Sequence, residues 1–140
     1  MANIAHAFAK AGLVGSGPYQ NVWTALTEVV CRHLGDLNGQ GLSNTAWAFA
    51  KGRQAAPELF PGISAELVSR GLGDFKEQEL SNMAWAFATA GHVSPDLFNA
   101  ISAEAVRRGL GGFNEQNLSN TVWAFATAGH ASPELFKAIS

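Results

Sequence analysis

The side chains with chemistry to offer recur as sets. Asn38, Lys76 and Asn114 hold one position, Gly41, Glu79 and Asn117 a second, and Thr45, Met83 and Thr121 a third. Each set is spaced by 38 residues. Within one unit the three positions fall at i, i+3 and i+7, a single stripe of a helix. That stripe lies away from Leu80, Ala84 and Phe87 and is expected to face solvent. Its residues change between units whose surroundings repeat almost unaltered. Asn, Thr and Glu can exchange hydrogen bonds with base edges, and about two or three side chains per unit are enough to read one base. The competing reading is free drift of exposed positions in a stack of repeats. Lys51 and Arg53 follow the same helix in one unit, where the next has Thr89 and Gly91. They are candidates for phosphate contact, although two charges make a small electrostatic footprint.

Other residues weigh less. Trp47, Trp85 and Trp123 are constant, and the expectation is packing between neighbouring units rather than stacking on bases. Asn44, Asn82 and Asn120 are constant too. An Asn inside a helix needs a partner, so a hydrogen bond tying one unit to the next is expected, with a ligand contact as the sharper alternative. Arg32, Arg70, Arg107 and Arg108 fall at helix ends, where capping of the helix dipole accounts for them. His92 and His130 are equivalent but lack further ligands, so no metal is expected. Cys31 reads as a packed apolar side chain, not a nucleophile. No arrangement recurs with catalytic logic, so the chain is read as a non-enzyme without cofactors.

Helices must position all of these. Leu80, Ala84, Phe87 and Ala88 mark one helical face, and Gly91 stands where the helix should stop. This predicts a helix A over Glu77 to Ala90. Ser94-Pro95-Asp96 supplies three start signals for a helix B over Pro95 to Arg108, followed by Gly109. Pro57 and Pro133 repeat the Pro95 position, and a looser helix B is expected from about Pro18 to Arg32. No strand period is visible. The expected fold is all-α: an α-solenoid of antiparallel helix pairs with a 38-residue repeat. Its units are a partial repeat (1–37), two full repeats (38–75 and 76–113) and a truncated one (114–140). Neither end carries the polar face of a terminal repeat, so the chain reads as a segment of a longer array or one whose ends associate with each other.

Composition fits this picture. Charged residues make up only 14% and hydrophobic ones 47%, which suits Ala-rich helices better than disorder. A net charge of −2 does not advertise nucleic acid. One Cys excludes an internal disulfide and a multi-Cys zinc site. No apolar run reaches membrane-spanning length, and no targeting segment is recognised.

The 38-residue period, the Gln-x-Leu-Ser-Asn-x-x-Trp-Ala-Phe-Ala motif at Gln40, Gln78 and Gln116, and the Pro-Glu-Leu-Phe opening of helix B resemble octotricopeptide repeats, relatives of the heptatricopeptide repeats of organelle proteins. The resemblance covers nearly the whole chain. It implies paired helices in a superhelix that binds single-stranded RNA, acting on transcripts in chloroplasts or mitochondria. The mild acidity and the small number of repeats depart from that family's pattern. A scaffold for protein partners, built on the same architecture, is the alternative.

Overall fold

The computed structural model describes residues 20–52, 58–92, 94–130 and 132–139. Among these all regular secondary structure is helical, with no strand. Its helices are α1 (Gln20–Arg32), α2 (Gly39–Lys51), α3 (Leu59–Arg70), α4 (Glu77–Ala90), α5 (Pro95–Arg107), α6 (Glu115–Ala128) and α7 (Pro133–Ile139). A single 3₁₀ turn, Leu34–Asp36, links α1 to α2. Pro18 and Pro57 lie outside the described residues.

Local chemistry sets these boundaries. Ser94 accepts the Leu97 N–H as N-cap of α5, with Pro95 in its first turn. At the end of α4, Gly91 takes a left-handed φ of 75°, which lets the His92 N–H turn back to the Phe87 carbonyl at 2.9 Å. Gly129 closes α6 in the same way, with His130 bonded to Phe125.

The helices pack in two layers. The first is α2, α4 and α6, each laid extensively against the next. The second is α1, α3, α5 and α7, which touch each other more sparingly. Phe49, Phe60, Phe87, Phe98, Phe125 and Trp23 form the fully buried aromatic core. Edge-to-face pairs join the layers: Trp23–Phe49, Phe60–Phe87 and Phe98–Phe125, with ring centres 5.0 to 5.1 Å apart. Each contributes roughly 0.5–1.5 kcal/mol beyond the area it buries. Phe60 and Phe98 sit on second-layer helices and meet rings on the first-layer helix of the next 38-residue unit, so the pairs hold successive units together.

The recurring tryptophans meet the expectation of core packing only in part. Trp47 and Trp85 are half-buried against the core, and Trp123 is 46% exposed. The phenylalanines, two positions further on, fill the interior instead.

Two arginines fasten the units. Arg70 donates to the Leu37, Leu34 and Gly35 carbonyls and pairs with Glu66 at 2.9 Å. Arg108, 38 residues on, donates to the Leu72 and Gly73 carbonyls and pairs with Glu104 and Glu77. Their guanidinium groups therefore close the preceding inter-helix turn, which goes beyond capping their own helices.

Candidate binding face

In the first layer α2 and α4 each have one open side, and α6 shares that side and is also open on its far flank. On α4, Leu80, Ser81, Met83, Ala84, Ala86, Phe87 and Ala88 are all buried. What remains open is Gln78 and Thr89, exposed, with Asn82 and Trp85 half-exposed. These fall at i, i+4, i+7 and i+11, a narrow line along the helix. The same line on α2 is Gln40, Asn44, Trp47 and Lys51, and on α6 it is Gln116, Asn120, Trp123 and Thr127. On α6 the Gln116 amide donates to Asn120 Oδ1 at 3.0 Å. Because the helices lie side by side, roughly 8–10 Å between axes, the three lines form a field of amides and indoles repeated in register.

The stripe expected to read a ligand sits elsewhere. Thr45, Met83 and Thr121 are 0%, 1% and 1% exposed. Met83 and Thr121 lie in the seams between neighbouring first-layer helices, and Thr45 is buried on the flank of α2 opposite Ser43. Thr45 Oγ1 donates to the Gly41 carbonyl and Thr121 Oγ1 to the Asn117 carbonyl, both at 2.7 Å, so the hydroxyls are satisfied within their own helix. Ser43 Oγ crosses the seam to the Glu79 carbonyl at 3.4 Å, and Ser81 Oγ crosses to the Asn117 carbonyl at 3.2 Å. The inter-unit bond expected of Asn44 and Asn82 is thus made by the serine beside each.

The rest of that stripe builds helix starts. Asn38, Lys76 and Asn114 are exposed N-caps. Asn38 Oδ1 accepts the Gly41 N–H at 2.8 Å. Asn114 and Asn117 bond reciprocally, side chain to backbone, at 2.7 and 3.1 Å. Lys76 has no side-chain acceptor to offer; there Glu79 Oε1 accepts the Lys76 N–H at 2.9 Å. Three units thus meet one requirement, orphan N–H groups at a helix start, in three ways. Variation there reflects interchangeable caps.

Positive charge on the open field is sparse. Lys51 is exposed in the last turn of α2. Arg53 lies outside the described residues. Arg70 and Arg108 are engaged in the turns described above, and Arg107 is bonded to Glu104. Glu104 is held below the usual carboxylate range, first by its hydrogen bond to Arg107 and then by that to Arg108.

The remaining candidates are structural. His92 stacks on Phe60, ring centres 4.7 Å apart, and His130 Nε2 lies 2.9 Å from Asn99 Oδ1. Among the described residues no group of three metal-ligating side chains converges. The Cys31 thiol is pushed up by burial and by the Glu58 carboxylate, which disfavours the nucleophilic thiolate. Among the described residues no helix is long and apolar enough to cross a membrane. A groove of about 600 Å³ opens between α3 and α5, lined by Phe60, Pro61, Ala65, Val68, His92 and Asp96.

Compared with known proteins, the chain matches no family model and no curated sequence.

Proposed function

We propose that the chain is an α-solenoid of antiparallel helix pairs that binds single-stranded RNA across the open field of α2, α4 and α6. The observation that carries the reading is the Gln-Asn-Trp line repeated at 38-residue intervals on three laterally packed helices. Indole rings can stack on bases whatever their sequence, and side-chain amides can pair with base edges. Lateral packing of each helix on its neighbour holds those groups in fixed register. The organellar setting follows from the motif resemblance alone.

The test is anisotropy with fluorescent single-stranded oligonucleotides, rA and rU, at several salt concentrations. Asn82→Ala and Trp85→Ala should each weaken binding roughly fivefold to a hundredfold, the range for loss of a stacked or paired base. Lys51 and Lys76 are the cations at hand, so the logarithmic salt slope should be shallow, about −1.4 for two phosphate contacts on a single strand. Absence of binding, or folded variants that bind like wild type, rejects the assignment.

The scaffold alternative rests on the apolar groove between α3 and α5 and on the few free cations. An apolar peptide held there should bind with almost no salt dependence and respond to Val68→Glu rather than to Asn82→Ala.

A further inference from the structure

The open field is uniform where the buried positions are not. Gln40, Gln78 and Gln116 are exposed, and Asn44, Asn82 and Asn120 are half-exposed beside them. A tryptophan follows each pair, so α2, α4 and α6 present one set of groups three times. Thr45, Met83 and Thr121, which differ between units, are buried. On the field only the last place of each line varies, as Lys51, Thr89 and Thr127. Packing does not use the amides. Among the described residues the Gln40, Asn44, Gln78 and Asn82 side chains bond to no protein group. On α6 the Gln116 to Asn120 bond still leaves the Gln116 oxygen and the Asn120 amide hydrogens for a ligand.

Given the RNA reading above, on which this rests, we propose that the field selects a run of one base, adenine. Telling one position of a strand from the next needs side chains that differ between units, and those are buried. Three like sets in register ask for the same base at each step. An amide offers an acceptor oxygen beside a donor NH2. It makes two bonds only to a base edge that sets a donor next to an acceptor. Adenine does so on its Watson–Crick and Hoogsteen edges alike, N6 beside N1 and N6 beside N7. The other three bases do so on the Watson–Crick edge alone, because the Hoogsteen edge of guanine carries two acceptors and those of the pyrimidines a single polar group. A fixed array of amides therefore holds adenine whichever edge it presents. The indoles add stacking without choosing a base.

Anisotropy on the whole chain tests this, with labelled rA, rU, rC and mixed-sequence strands of equal length. The rA strand should bind roughly fivefold or more tighter than any other, the discrimination of a bidentate pair. Asn44→Ala and Asn82→Ala, on neighbouring helices, should each reduce that ratio by similar factors, because both positions ask for the same base. Trp85→Ala should weaken all four strands alike and keep the ratio. Equal binding of the four strands, a preference for the mixed strand or for another run, or a ratio untouched by both Asn variants overturns the adenine run and leaves RNA binding standing. Absence of binding to every strand rejects the RNA reading and this proposal with it.

Discussion

Arg108 should matter far more than its neighbour Arg107. The Arg108 side chain is 13% exposed and binds four groups: the Leu72 and Gly73 carbonyls at 3.1 and 3.3 Å, Glu104 at 2.7 Å, and Glu77. Arg108→Met keeps most of the apolar stem and removes the guanidinium. A hydrogen bond involving a charged group contributes about 1.5–3 kcal/mol, less where water can replace it. Glu77 is 30% exposed and Gly73 is open, so water recovers part of the loss there. Glu104, at 12%, stays poorly solvated. A destabilisation of about 2–3 kcal/mol follows. For 140 residues, an unfolding entropy near 2.1 cal/mol/K per residue converts this to a melting temperature lower by roughly 7–10 °C. Arg107 is 66% exposed and shares Glu104, so Arg107→Met should lower the melt much less than Arg108→Met. Thermal and guanidinium unfolding of both variants, followed by circular dichroism, provides the comparison. Equal behaviour of the two would refute the view that Arg108 fastens one unit to the next.

Two further outcomes follow from the same geometry. Met83→Ala empties a buried seam position and should lower stability by about 2–4 kcal/mol in denaturant titrations, while the folded variant keeps the RNA sequence preference of wild type; a changed preference would return Met83 to the reading set. Glu104 is held below its ordinary value near 4.5 in the folded chain, so the native state binds fewer protons than the unfolded one. Its contribution is therefore complete above about pH 4.5 and lost as pH falls through the lower folded value. Guanidinium midpoints from pH 6 to pH 3 should fall less steeply for Glu104→Gln than for wild type, and parallel curves would count against the carboxylate's role.

The corrections share one cause. Asn117 and Thr121 look like exposed polar residues in the sequence, and their polarity is real. Yet Thr121 bonds within its own helix and Asn117 closes a capping box, so both can be buried without an unmet hydrogen bond. Polarity alone could not distinguish a solvated residue from one satisfied locally. The constant Asn and Trp positions carried the opposite signal. A constant Gln and Asn on a helix buried elsewhere point to the open side, but constancy in a repeat marks shared packing just as well.

What the amino-acid order settled by itself was local. The 3.6-residue periodicity, the Ser-Pro start of α5 and the glycine stops placed α4 at Glu77–Ala90 and α5 to within one residue of its end, because caps and turns depend on neighbours a few positions away. The 38-residue recurrence likewise needed no coordinates. Which side of α2, α4 and α6 meets water was decided only when the helices packed. A helix flanked on both sides and from beneath has its exposure dictated by the neighbours that cover it. The same Leu-Ser-Asn-x-x-Trp segment is therefore enclosed in the middle of the layer and open at α6.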